Sequence, residues 1–358
     1  MKRILFIADH RPDRSPGQRY RFEQYLDVLE AHGYRCSLSY VLNAADDHVF
    51  YRPGNYLRKA LIVAKSFWVR WCDWRKRDDY DIVFIFRNCV LTGSLYFEKK
   101  WSKSGKPIVF DFDDAIWKND TSHANRLFAW LKRPEKIKFT ISISHSVLAG
   151  NAYLADFARQ YSNKVSIVPT TIDTERYRCA RPERLGSPVV IGWTGSITTI
   201  KHFLWAKPAL LEIKKKYKSA VRFVVIGDEN FADAELGIQG QAWRSETEAE
   251  DLSVLDIGIM PLPDDAWTKG KCGLKGLQYM ALGIATVMSP VGVNATIVQD
   301  GVNGRLATTT PEWIQVLTEL IENPGLRHQL GESARKTVES EYSKNHWKQE
   351  YLAIFDAL

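Results

Sequence analysis

Short apolar runs alternate with longer amphipathic stretches along the whole chain. The runs at residues 4–8, 36–41, 82–86, 108–110, 146–149 and 165–168 have the length and bounding turns of buried strands. Between them, residues 18–32, 56–74, 93–103 and 152–161 place apolar positions three and four apart, which predicts helices. Polar, Arg-rich residues 171–188, bounded by prolines, then read as a linker. The pattern restarts with strands at 189–193, 221–226, 254–260 and 285–288 and helices at 203–216, 247–252 and 273–282. Helices at 311–323, 326–341 and 345–357 complete it. Strand–helix alternation of this kind predicts two α/β domains, each a parallel sheet covered by helices on both faces. The boundaries expected are 1–170 and 189–342, joined by 171–188.

The length of 358 residues and a hydrophobic content of 45% fit two folded domains and exclude a disordered chain. Five cysteines without a close pair argue against a disulfide framework and fit a reducing cytoplasm. The apolar run after Met1 is too short for a signal-peptide core, and no segment reaches the length of a membrane span. The net charge of +7 is uneven. Residues 1–178 carry 30 Lys and Arg against 20 Asp and Glu, whereas residues 179–358 carry 19 against 22, so an acidic partner is expected to face the first half. The basic residues are dispersed and accompany no base-stacking module, so nucleic acid is not an expected partner.

The most chemical stretch begins with Asp256-Ile-Gly-Ile-Met-Pro-Leu-Pro, a strand ended by prolines. It continues through Lys271-Cys-Gly-Leu-Lys275-Gly-Leu-Gln278, the start of a helix. The first turn of that helix offers unpaired N–H groups, a positive dipole end and the Lys271 ammonium, which suits an anionic ligand. Lys271 and Lys275 fall on one face, with Gln278 about a turn further on. They also fit a solvated lysine pair on a surface helix. In Gly192-Trp-Thr-Gly-Ser196, leading to Lys201, a glycine turn at the carboxyl end of a strand exposes backbone N–H groups where open α/β sheets bind ligands. A plain glycine turn with a solvated Lys201 is the alternative. Asp264 and Asp265 read either as ligand contacts or as turn residues after proline.

In the first half, Asp111-Phe-Asp-Asp114 follows a strand and puts Asp113 and Asp114 at its end, fitted to orient or deprotonate a hydroxyl, or to cap a turn. Divalent-cation chelation by this trio is set aside because the layout has two alternating domains. Gly17-Gln-Arg19-Tyr-Arg21 opens the first helix, where arginine forks suit phosphate or carboxylate. On the helix at 56–77, Leu57, Leu61, Ala64, Trp68 and Trp71 form one stripe among Arg and Lys. Such a stripe either faces the core or lies on a membrane surface.

The second-half motifs, with Val224-Val-Ile-Gly227 and Gly301-Val-Asn-Gly-Arg305, occur in the order of glycosyltransferase family 4, which the chain resembles over most of its length. The resemblance implies a GT-B architecture: two Rossmann-like domains whose parallel sheets face a central cleft, and a C-terminal helix (343–358) that crosses back to complete the first domain. It implies a retaining transferase that moves a sugar from a UDP- or GDP-sugar to a lipid-linked or growing saccharide in cell-surface polysaccharide biosynthesis. No metal or other cofactor is implied. Donor contacts fall on Gly195, Ser196, Lys201, Gly227, Asp228, Lys271, Cys272, Gly273, Leu274, Lys275 and Gln278. Catalytic roles fall on Asp113, Asp114 and Lys271, and acceptor contacts on Gly17, Arg19 and Arg21. A polyprenyl-phosphate-linked acceptor and contact of residues 56–77 with the cytoplasmic face of the inner membrane are the expected surroundings. The chain departs from the family at two positions usually held by glutamate, which here are Gly270 and Gln278. That departure leaves open a silent GT-B protein that binds a nucleotide sugar or glycan without turnover.

Overall fold

The computed structural model describes residues 1–52, 54–118, 133–178 and 188–358, and the chain divides into two compact units. Unit 1 comprises Met1–Thr170 together with Lys348–Leu358, and unit 2 comprises Thr171–Trp347. Residues 179–187 of the expected linker lie outside the described residues. Its first part, which holds the buried Thr171, Ile172 and Tyr177, is packed into unit 2, where Ile172 bridges to Ser343.

Unit 1 opens with strand β1 (Arg3–Ile7), helices α1 (Pro16–Arg21) and α2 (Leu26–Ala31), strand β2 (Arg35–Ser39), and helices α3 (Ala44–Phe50) and α4 (Tyr56–Arg75). It continues through β3 (Ile82–Phe86), α5 (Tyr96–Ser102), β4 (Ile108–Phe112), α6 (Lys136–Ile143), β5 (Ser146–Ala149), α7 (Ala152–Arg159) and β6 (Val165–Ile167). Its sheet is parallel throughout, in the order β2-β1-β3-β4-β5-β6. Every residue of β3 and β4 is buried, which explains why these strands read as unbroken apolar runs rather than alternating ones. The predicted helix 18–32 is broken at Phe22, whose backbone leaves helical geometry (φ −130°, ψ −33°) as its ring enters the core against Phe6 and Phe84.

Unit 2 runs β7 (Val189–Thr194), α8 (Ile200–Trp205), α9 (Lys207–Tyr217), β8 (Val221–Ile226), a small hairpin β9 (Ala232–Asp233) and β10 (Ile238–Gln239), α10 (Glu248–Ser253) and β11 (Ile257–Met260). Then come α11 (Leu274–Ala281), β12 (Ala285–Met288), α12 (Asn294–Ile297), β13 (Arg305–Leu306), α13 (Thr310–Glu322), α14 (Pro324–Glu341) and α15 (Lys344–Asp356). The main sheet is parallel in the order β13-β12-β11-β7-β8. The single helix expected over 203–216 is two helices, because Pro208 lacks the N–H that would continue the first and sits instead in the opening turn of the second. Trp193, Phe203, Leu210, Val225, Trp313 and Leu317 form its core on one face of the sheet.

Beyond Trp347, α15 belongs to unit 1. Tyr351 stacks on Tyr25 at 4.2 Å between ring centres, and Phe355 lies 6.3 Å from Phe84 and 6.4 Å from Phe6. Tyr351 and Phe355 are therefore packing for the first unit. Among the described residues no helix is long and apolar enough to cross a membrane.

Candidate donor site and acceptor-side cluster

In each sheet one pair of neighbouring strands marks the point where chain order reverses, and open α/β sheets bind ligands at the carboxyl edge there. In unit 2 this switch lies between β7 and β11. Gly195 follows β7 and donates its N–H to the Ile226 carbonyl at 3.0 Å. A Cβ at Gly195 would lie 2.4 Å from the Trp193 ring and 2.7 Å from Cε of Lys275, so the missing side chain is what lets Lys275 reach this edge. Gly227, at φ +140°, approaches Gly195 so closely that a Cβ there would sit 1.6 Å from the Gly195 carbonyl oxygen. Only glycine fits where the two strand ends meet. Asp228 accepts from the Asn230 N–H at 3.0 Å, which shapes the turn that follows. Ser196 closes a capping box with Thr199, ahead of Lys201 on α8.

The loop after β11 approaches the same edge. Asp265 accepts from the N–H groups of Trp267 (2.9 Å) and Thr268 (2.8 Å) and from the Thr268 hydroxyl, as the cap of a short 3₁₀ turn. Burial pushes its carboxyl up, but these donors outweigh burial and hold it below the usual carboxylate range. Asp264 pairs with Lys269 at 3.2 Å. Of the two readings for these aspartates, the turn reading describes Asp265. Lys271 extends over the Trp267 ring at 4.9 Å, and Lys275 over Trp193 at 5.4 Å. Cys272 is buried, and Gly273 (φ +71°) sits at the head of α11, where a Cβ would meet Ile297 at 2.3 Å. Leu274 is the first residue of α11.

One residue that sequence reasoning missed binds these pieces together electrostatically. His202 on α8 is buried, and its pKa is brought down to about 4, first by burial and then by the ammonium groups of Lys275, Lys271 and Lys201, with Asp265 opposing. Three lysines from two separate segments therefore converge on one imidazole, which stays neutral.

Gln278 does not join this cluster. It is buried, and its amide donates to the Tyr177 hydroxyl at 2.9 Å and to Glu248 at 2.8 Å. The Trp243 indole N–H and the Tyr177 hydroxyl also donate to Glu248, at 2.8 and 2.9 Å. The donor contact expected of Gln278 is corrected: a buried carboxylate demands donors, and Gln278 is one of them.

In unit 1 the switch lies between β1 and β3. Arg87, just past β3 and held at φ +61°, donates to Asp113 (2.7 Å) and Asp114 (2.8 Å). Burial lowers the Arg87 pKa, but the two carboxylates outweigh it and hold the guanidinium firmly charged. A Cβ at Gly17 would meet the Asp113 carboxylate at 2.9 Å and the Arg87 guanidinium at 3.2 Å, so Gly17, Asp113 and Asp114 do come together. Asp9 and His10 share this edge: Asn88 donates to Asp9 at 2.9 Å, and the His10 ring bonds the Tyr51 hydroxyl. Burial lowers the His10 pKa, while Asp9 and Asp47 oppose it. Asp9, His10 and Arg87 escaped the sequence reading, although two of them stand immediately after the first apolar run.

The two arginines of α1 are a different matter. Arg21 is fully buried and grips Asp111 at 2.6 Å and the Val168 carbonyl. Burial pushes the Asp111 carboxyl up, and the Arg21 guanidinium opposes that push. Arg21 is therefore a core ion pair, and the acceptor role expected for it is corrected. Arg19 is also buried, stacked on Tyr20 at 5.1 Å and 3.5 Å from Asp13.

Residues 188–323 match the family model described as Glycosyl transferases group 1. That segment carries the signature of this family, and the chain as a whole has the GT-B fold. Among solved structures, sucrose-phosphate synthase from Thermosynechococcus elongatus superposes with a TM-score of 0.75 at 12% identity, each chain covered over 100% of its length. HepE from Anabaena, solved in complex with UDP and glucose, gives 0.66 at 13% identity, again with 100% of both chains covered. The lipopolysaccharide outer core galactosyltransferase WaaB, in its apo form, gives 0.62 at 16% identity, covering 99% of this chain and 100% of its own. No curated protein sequence matches the chain. The matched segment contains the whole lysine cluster.

Proposed function

We propose that the protein is a glycosyltransferase that moves a sugar, with retention at the anomeric carbon, from a UDP- or GDP-sugar to a lipid-linked or growing saccharide during cell-surface polysaccharide synthesis. The observation that carries the reading is the convergence of Lys201, Lys271 and Lys275 around the neutral His202 at the β7/β11 switch. A diphosphate seated there meets ammonium groups and the N-terminal N–H groups of α11. The leaving diphosphate gains negative charge as the glycosidic bond breaks, so these groups stabilise the transition state more than the bound donor. An oxygen of that departing phosphate takes the acceptor proton. Asp113 and Asp114, ion-paired with Arg87, serve as hydrogen-bond acceptors that orient the acceptor hydroxyl. The HepE complex with UDP and glucose supports the donor class, and WaaB the saccharide acceptor. The enzyme works without a metal, on the cytoplasmic side of the inner membrane, and meets a polyprenyl-phosphate-linked acceptor there.

The test pairs binding with turnover. Purified protein is screened against nucleotide sugars by thermal shift, and the stabilising donors are then incubated with saccharide and lipid-linked acceptors, with product configuration read by NMR. Lys271→Ala should lower kcat by about a hundredfold, the scale of one removed transition-state donor, with Tm unchanged. Unaltered turnover in that variant defeats the proposed role, and stabilisation by donor without product in the parent protein establishes a binding protein instead.

A further inference from the structure

Helix α4 is built inside out. Its buried face carries Lys59, Ile62, Ser66 and Arg70, whereas Leu57 is 85% exposed, Leu61 69%, Trp68 67% and Trp71 39%. Arg70 explains the inversion: fully buried, it donates to the carbonyls of Ala8 and Cys89 at 2.7 Å each, to Ser39 at 2.6 Å and to Asp73 at 2.8 Å. The guanidinium thus ties the helix to the ends of β1, β2 and β3, and the apolar stripe is left outside. Positions 57, 61, 64, 68 and 71 recur every three or four residues, a line about 21 Å long at 1.5 Å per residue.

We propose that this stripe docks the protein on an anionic lipid surface. The charges of α4 beside it are basic, and one of them, Lys65, is paired with Asp46 of α3 at 2.6 Å. Arg58, Lys65 and Lys76 fall within about a third of a turn of the stripe at 100° per residue, and Arg75 continues its line. The helix's one acidic residue, Asp73, is bound to Arg70 and Ser39. Lys100 from α5 adds a further ammonium, 5.2 Å from the Trp71 ring, 4.8 Å from Trp74 and 5.2 Å from the exposed Tyr96. Indole rings between an apolar line and ammonium groups match the boundary of acyl chains and headgroups, where an amphipathic ring is best placed. Anionic headgroups supply countercharge to Arg58, Arg75, Lys76 and Lys100 beside the stripe. A second copy of the chain would bring the same basic flank against itself, since a two-fold contact pairs a patch with its own likeness.

Sedimentation of the full-length protein with vesicles tests this. Binding to phosphatidylcholine vesicles containing phosphatidylglycerol is expected, weakening as salt rises and absent with phosphatidylcholine alone. Leu61→Ser combined with Trp68→Ser should cut the binding by about tenfold or more. Because both side chains are exposed, Tm should not change. Brominated lipids should quench the parent's tryptophan fluorescence more than that of Trp68→Phe. Failure to bind the mixed vesicles, or binding that the double variant leaves intact, overturns the proposal. Concentration-dependent dimers that the same substitutions dissolve also overturn it, by giving the stripe to a second copy.

Discussion

The clustering of three lysines around His202 can be measured without any knowledge of the sugar. In the free protein the imidazole should titrate near 4, against an ordinary value of 6.5. Burial contributes first and the ammonium groups of Lys275, Lys271 and Lys201 next. A displacement of that size corresponds to about 3 kcal/mol. Its sign follows from linkage: the unfolded chain takes up the His202 proton at a higher pH than the folded one. Stability from this group is therefore full above about pH 6.5 and is lost as pH falls toward 4. One ammonium at the rim of such a site is worth on the order of 1 kcal/mol. Lys275→Met should thus raise the His202 value by on the order of half to one pH unit. Burial remains, so the value stays below the ordinary one. UDP should raise it further, because the diphosphate reverses the local charge, and UDP binding at pH 5 to 6 should draw protons from the buffer. The assay is a pH titration of the histidine ring resonances, with His202 assigned by loss of its signal in His202→Gln, and calorimetry in buffers of different ionisation enthalpy. A His202 that titrates at 6.5 and ignores both Lys275→Met and UDP would show that the lysines do not converge, and the donor site would lose its foundation.

Two further substitutions probe residues whose expected roles changed. Gln278→Glu restores the glutamate usual in the family, but here it sets a second carboxylate against Glu248, to which the Gln278 amide donates at 2.8 Å. It should therefore destabilise unit 2 by roughly 2–4 kcal/mol in urea unfolding at pH 7.5, and less at pH 5, where one carboxyl is more easily protonated; a gain in stability would contradict the buried network. Arg21→Met strands Asp111 without its guanidinium and should cost about 3–5 kcal/mol, much of it recovered in Arg21→Met with Asp111→Leu. The acceptor KM should not move in the folded fraction, and a selective rise in KM would return Arg21 to the acceptor site.

Strand positions and the donor helix were legible because a buried parallel sheet writes itself as apolar runs, and Gly283 (φ +64°) closes the helix that Gly273 (φ +71°) opens. Burial of the charged residues was less legible. Arg21 ends the short helix α1, and its partner lies 90 residues away. The available signal was Asp111, an acid inside the apolar run 108–112, which needs a countercharge to be tolerated. Gln278 stands between Leu277 and Tyr279 on a helix buried almost all round, so it had no solvent face to occupy. Periodicity found the stripe on α4, but periodicity gives a face and not its direction; Arg70 decides that, through partners on three different strands' ends. His202 carried no motif. Its neighbour Lys201 did, and the imidazole gains meaning only from Lys271 and Lys275, some seventy residues further along.

The arrangement of α15 has a consequence for how the protein is made. Phe6, Tyr25 and Phe84 are all translated before residue 85, yet the rings that cover them, Tyr351 and Phe355, come more than 260 residues later. The first unit to begin synthesis is thus the last to be finished, and it waits with an open aromatic seam while the second is completed. A fragment ending at Thr170 would carry that seam permanently, so the first unit cannot be expected to survive as an isolated piece unless the final helix is supplied to it.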